Sequence, residues 1–265
     1  MTAALIITLR ETLEAALVVG IVLAYLKKTK NAHHVKYVWG AVVLGVLLSV
    51  GLAYVFETYF GGFEGAAEQI YEGIMMITAA ILLSWMIVWM MKQRSGIKKA
   101  LESKAAAHIE EDHPMGIFFL VLVSVLREGI ETVIFLKAAM LVGGGEGVLG
   151  GAVIGVLLAI VLAFALFRGV AKIPLRKVFT ATSVLLILFA AGLLAHGVHE
   201  FQEAGMISIV NEHVWDMNSV LDEKGAVGGL MKGLFGYNGN PSLIEVGSYV
   251  FYLVLAGFVW KRMDK

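Results

Sequence analysis

The sequence contains no cysteine, which excludes disulfides, thiolate metal sites and cysteine nucleophiles together. Charge is scarce too. Only 16% of the 265 residues are Asp, Glu, Lys or Arg, against roughly 25% in soluble domains. A soluble chain of this length could not cover its surface with so few polar groups. The 21 basic and 21 acidic residues cancel, so there is no basic excess to attract nucleic acid. No His-Glu-x-x-His stretch occurs, and the one Glu-x-x-His pair is Glu110 and His113; a helical di-iron site uses two such pairs. The first apolar stretch has no basic leader and is interrupted by Arg10 and Glu11, so it reads as a true helix rather than a cleaved signal peptide.

What is present is apolar: 59% of residues, with a mean hydropathy of +0.82. The apolar residues come in runs of about 20, the length that crosses a hydrocarbon core roughly 30 Å thick. They predict an all-α membrane protein with seven transmembrane helices, over 3–26, 38–56, 66–91, 115–141, 147–168, 177–200 and 244–260. The links between them alternate. Lys27, Lys28, Lys30 and Lys36 follow the first span, and Lys92, Arg94, Lys98, Lys99 and Lys104 follow the third. Arg168, Lys172, Arg176 and Lys177 surround the fifth link, and Lys261, Arg262 and Lys265 end the chain. The intervening links carry Glu57, Glu64 and Glu146, and residues 201–243 are mainly acidic. Basic links mark the cytoplasmic side, which predicts an N-terminus outside and a C-terminus in the cytoplasm.

Leu9-Arg10-Glu11-Thr12-Leu13-Glu14 reappears as Leu126-Arg127-Glu128-Gly129-Ile130-Glu131. The span after each copy carries small residues four apart: Ala41, Gly45, Ser49 and Ala53 in one, Gly147, Gly151, Gly155 and Ala159 in the other. Such spacing lets helices approach closely in lipid. Three spans separate the copies, so the second runs the opposite way. The pattern predicts one transmembrane domain over 1–265, an inverted repeat of helices 1–3 (about 1–92) and 4–6 (about 115–200), an external segment 201–243, and a seventh helix at 244–261. Inverted repeats place substrate sites near the bilayer midplane.

At 1.5 Å per residue, Arg10 to Glu14 lie about 10–17 Å below the outer face and Arg127 to Glu131 roughly 17–23 Å above the inner one. Each motif puts one arginine and two glutamates on a single helix face. Six charges at this depth each cost on the order of 2.5–3.5 kcal/mol. Two Arg–Glu pairs, the bland structural explanation, account for only half of the carboxylates. A bound cation accounts for the rest, because convergent carboxylate oxygens suit a small, highly charged metal ion.

Glu68 and Glu72, with Glu64 before them, share a face at the outer end of the third span; His196, His199 and Glu200 do so at the outer end of the sixth. Glu68, Glu72, His196, His199 and Glu200 read as an acidic mouth that concentrates cations, with imidazoles that can also bind metal; Glu64, Glu57 and Glu203 read as solvated rim. Trp39, Trp85, Trp89 and Trp260 read as interfacial belt. Met75, Met76, Met86, Met90 and Met91 read as packing, and Lys137 as snorkelling. The stretch 212–216 carries no role the sequence decides.

The two RExxE motifs, the seven spans and the segment Leu234-Phe-Gly-Tyr-Asn-Gly-Asn-Pro-Ser-Leu243 resemble one family across the whole chain. It is the iron permeases that include fungal oxidase-linked iron permeases and bacterial ferrous-iron permeases. The resemblance implies a transporter rather than an enzyme, with iron as cargo, no permanent cofactor, and import through the cell membrane. It implies iron ligands at Glu11, Glu14, Glu128 and Glu131. Arg10 and Arg127 are expected to orient them, since a guanidinium repels a metal cation. A periplasmic or extracellular iron-oxidising or iron-binding partner is an open expectation, as is a homo-oligomer. Carriage of lead or manganese, efflux, and an intramembrane metal-dependent enzyme are the alternatives.

Overall fold

The computed structural model describes residues 1–60, 63–93, 97–110, 114–143, 145, 147–169, 175–208, 211, 213–223 and 225–263. Among the residues read above, Arg94, His113, Glu146, Lys172, Glu212 and Lys265 lie outside these, as do the side chains of Lys98, Lys99, Glu110 and Arg176. The described residues form helices only: α1 (Thr2–Lys28), a short 3-10 turn (Ala32–His34), α2 (Val35–Phe60), α3 (Ala66–Gln93), α4 (Ile97–Glu110), α5 (Pro114–Gly143), α6 (Val148–Phe167), α7 (Leu175–Glu203), α8 (Ala226–Phe235) and α9 (Leu243–Met263). Each of the seven expected apolar spans is one helix. Local chemistry fixes several ends. Pro114, whose missing N–H costs nothing in a first turn, opens α5. Gly236, at φ 66°, closes α8 in the left-handed conformation.

Five helices are long and apolar enough to cross a membrane: those over Ala32–Tyr59, Ala66–Lys92, Val148–Phe167, Lys177–Glu203 and Leu243–Met263. α1 and α5, with 27 and 30 residues, are also long enough. They fall short in apolarity because the RExxE charges sit in their middles.

Three pairings dominate the packing: α1 with α6, α2 with α5, and α3 with α7. Small residues set the approach of each. Gly151 lies on Met1, Gly155 on Leu5 and Thr8, and Gly20 on Phe167. Residue numbers rise together along this interface, so α1 and α6 run parallel. α2 and α5 are also parallel, with Gly45 on Val125, Ser49 on Gly129, and Glu57 on Lys137. In the third pair Gly73 and Gly197 abut, a Cβ on either lying 3.0–3.1 Å from the other's carbonyl. The largest apolar core joins α1, α3, α5 and α7 through Ile7, Met76, Leu83, Phe135, Leu186 and Leu193. This core fixes the two motif helices against α3.

The segment 201–243, expected as an external connection, contains α8. Its closing Gly236 lies against the backbone of Gly192, eleven residues before the end of α7. At 1.5 Å per residue the turn after α8 therefore reaches about 16 Å back alongside α7. The chain then returns to α9 through a capping box. Ser242 Oγ accepts from the Glu245 amide at 3.3 Å, and Glu245 Oε1 accepts from the Ser242 amide at 3.0 Å.

Candidate metal centre

α1 and α5 meet at their motifs. One carboxylate oxygen each of Glu11, Glu128 and Glu131 lies within 4.8 Å of the others, the one such group of three potential ligands among the described residues. Glu11 and Glu128 are buried, and Glu131 is half-buried. Glu11 Oε2, Glu128 Oε2 and Glu131 Oε2 are buried with no hydrogen-bond partner among the described residues. Buried oxygens left in this way cost on the order of 1–3 kcal/mol each, more when charged. A cation among them removes that penalty and supplies the charge that two arginines cannot. The ligand set is oxygen only, the preference of hard metal ions.

Glu14, the fourth expected ligand, stands apart from the converging three. It pairs with Arg10, Nη2 to Oε1 at 3.1 Å. Arg10 is fully buried. Its Nη1 lies 3.5 Å from Glu11 Oε1, and its Nη1 and Nη2 donate to the Met86 and Met90 sulfurs at 3.1 and 3.3 Å. The methionines therefore do more than pack. Arg127 is placed differently. It donates through Nε to Glu128 Oε1 at 3.0 Å and through Nη2 to the same oxygen, with Nε 3.6 Å from Glu131 Oε1. Its Cζ lies 4.7 Å from the centroid of the Trp89 ring, a cation–π contact. Its side chain is 44% exposed. It faces a cleft of about 210 Å³ lined by Leu82, Trp85, Met86, Trp89, Arg127 and Glu131. Trp89, read from sequence as an interfacial residue, belongs to the wall of this centre.

The residues expected at the outer mouth also gather, between α3 and α7. Glu200 lies within electrostatic reach of Glu72, Glu203 and Glu68, and Gln69 donates to Glu203 Oε2 at 3.1 Å. The two histidines separate in role. His196 is buried, and its Nδ1 sits 3.0 Å from the Gly192 carbonyl. His199 lies between Glu245 Oε1 at 3.0 Å and Glu203 Oε1 at 3.1 Å. Lys137, expected to snorkel, ends on Glu57 at 2.7 Å and ties α5 to α2.

Glu245 was missed by sequence reasoning. It is buried and holds His199, the Asn238 amide at 2.7 Å and the Ser242 amide, so one carboxylate joins α7, α9 and the segment after α8. Its signal was the Ser-Leu-Ile-Glu at 242–245, a capping box at a helix start.

The model of the iron permease FTR1 family matches residues 1–261. The chain is 35% identical over 253 residues to the protein named ferrous iron permease EfeU of Escherichia coli O6:K15:H31 (strain 536), covering 95% of this chain and 92% of that one. The protein of that name from Shigella sonnei (strain Ss046) matches to the same extent. The Yersinia pestis protein is 33% identical over 253 residues, 95% of this chain and 90% of its own. No solved structure matches the chain. The chain, a multi-pass membrane protein, belongs to the iron permease FTR1 family.

Proposed function

We propose that this protein carries iron ions across the cytoplasmic membrane into the cell, and that the ion pauses at the carboxylates between α1 and α5. The observation that carries the reading is the convergence of Glu11, Glu128 and Glu131 from two copies of one motif, each with a buried oxygen that no donor reaches among the described residues. The family and the relatives' names support iron as the cargo. Glu14 completes the site from one step away, as the counter-ion of Arg10. Arg10 and Arg127 hold the carboxylates and limit their excess charge, a task for which a planar fork is suited.

In this reading α1 and α5 cross the membrane with the five apolar helices, giving seven crossings in one transmembrane domain. Arg10, Glu11 and Glu128 are buried at the site, and Arg127 borders the cleft beside Trp89. An inverted repeat is supported by the pairings: α1 lies parallel to α6, and α5 parallel to α2, and each motif helix meets a glycine of its neighbour two residues before its arginine, Thr8 on Gly155 and Val125 on Gly45. The basic links favour an N-terminus outside and a C-terminus inside. Glu68, Glu72, Glu200 and Glu203 then form an outer mouth that raises local cation concentration, with His196 and His199 beside them. An oxidising or iron-binding protein outside the cell would deliver to this mouth, and copies of the chain would associate through its lipid-facing flanks.

The experiment is metal uptake by liposomes containing the purified protein, with ferrous, ferric, manganese and lead ions outside in separate runs. Iron should enter and saturate. Uptake of lead or manganese with exclusion of iron would replace the cargo, and iron moving only outward would replace the direction.

A further inference from the structure

The two RExxE motifs are alike in sequence and unlike in surroundings. Arg10 has no room to move. It is fully buried, with its two terminal nitrogens engaged by Glu11, Glu14, Met86 and Met90. Arg127 is 44% exposed. Its Nε and Nη2 edge faces Glu128 and Glu131, the cleft opens beside it, and the Trp89 ring already lies 4.7 Å from its Cζ.

A metal ion that takes the unpartnered Oε2 atoms of Glu128 and Glu131 comes up against a guanidinium held on the Oε1 atoms of the same two carboxylates, and the two cations repel. An arginine cannot leave by losing its proton, so it must move. Resting on the iron reading above, we infer that Arg127 is the arginine that yields to the incoming ion. Trp89 is a positioning residue, the aromatic platform that already touches its guanidinium and keeps it in the cleft as the carboxylates let go. Arg10 stays fixed throughout and keeps Glu14 as its partner, which is why Glu14 lies outside the converging three. A ring face attracts a cation more strongly as the cation loses other partners, so the Trp89 contact already made keeps Arg127 from being left unpaired when its carboxylates turn to the metal.

The test uses the full chain. Trp89→Leu keeps an apolar wall and removes the ring face; Trp89→Phe keeps a ring. Anaerobic ferrous-ion binding to the purified protein is measured beside uptake by liposomes. Trp89→Leu should bind iron roughly 2- to 30-fold more weakly, and Trp89→Phe should recover most of the difference. Arg127→Met, similar in length and uncharged, supplies an independent arm. It should bind iron more tightly than the parent because nothing has to be displaced, whereas Arg10→Met should bind it more weakly. Unchanged affinity in Trp89→Leu, an equal defect in the Leu and Phe variants, or weaker binding by Arg127→Met would each overturn the inference. Failure of the parent itself to bind or carry iron would instead remove the reading on which the inference rests.

Discussion

Gly155 sets how closely α1 approaches α6, and so where Arg10 and Glu11 stand. A Cβ at this position would overlap the Thr8 hydroxyl and the Leu5 carbonyl, and would lie 3.0 Å from the Leu9 amide. Two of these three atoms are α1 backbone, so no change of rotamer relieves the overlap, and the helix itself must shift. The Thr8 hydroxyl, which donates to the Ala152 carbonyl at 3.0 Å, would lose that link between the helices. Overpacking of this kind costs about 1–3 kcal/mol, which lowers Tm by several degrees. Displacing a binding group by about 1 Å can also cost on the order of 100-fold in rate. Gly155→Ala should therefore reduce both thermal stability in detergent and iron uptake at matched membrane levels. Gly45 is the counterpart on α2. Its Cβ would meet Val125 Cγ1 at 2.9 Å, which a χ1 rotation can move, and Val125 Cβ at 3.2 Å, which needs a shift of only a few tenths of an ångström. Gly45→Ala should be the milder change. Parent-like stability and uptake in Gly155→Ala, or a worse defect in Gly45→Ala, would refute this account of the interface.

The absence of native cysteine makes topology directly testable: Glu64→Cys and Asp216→Cys should react with an impermeant thiol reagent added outside, and Lys28→Cys and Lys104→Cys should not. The reversed pattern would invert the orientation. Arg10→Lys, which loses the fork among Glu11, Glu14 and two thioethers, should lose most uptake. Arg127→Lys should keep more, and the opposite ranking would contradict the unequal roles of the two motifs. Glu68→Gln with Glu72→Gln should raise the half-saturating iron concentration without lowering the maximal rate. That shift should shrink with added salt, because exposed charges are screened over about 8 Å at physiological ionic strength. Loss of uptake at saturating iron would make these carboxylates part of the obligatory path.

The sequence disclosed the elements whose signals are periodic and local. The motif charges share a helix face through their spacing alone. The four-residue spacing of Gly147, Gly151 and Gly155 marked the face of α6 that receives α1, and Gly45 and Ser49 did the same for α5. What stayed hidden depends on partners from distant parts of the chain. Nothing in two nearly identical hexapeptides says that α3 will cover Arg10 with Met86 and Met90 and leave Arg127 beside Trp89. α8 was hidden because ten residues are too few for a span, so its apolar face dissolved into a segment read as a mainly acidic connection. Glu245 sat within a readable capping box, but its burial beneath His199 and Asn238 comes from the return of the chain after α8.

If Glu11, Glu128 and Glu131 hold the transported ion together, removing one of their charges must weaken equilibrium iron binding to the purified protein. Glu131→Gln nearly preserves shape and removes one ligand charge from the converging three. This variant should insert and unfold like the parent, yet bind iron at least tenfold more weakly, since losing a charged ligand in a largely buried site costs more than about 1.4 kcal/mol. Parent-like affinity in Glu131→Gln would contradict it and return the six charges to a structural role.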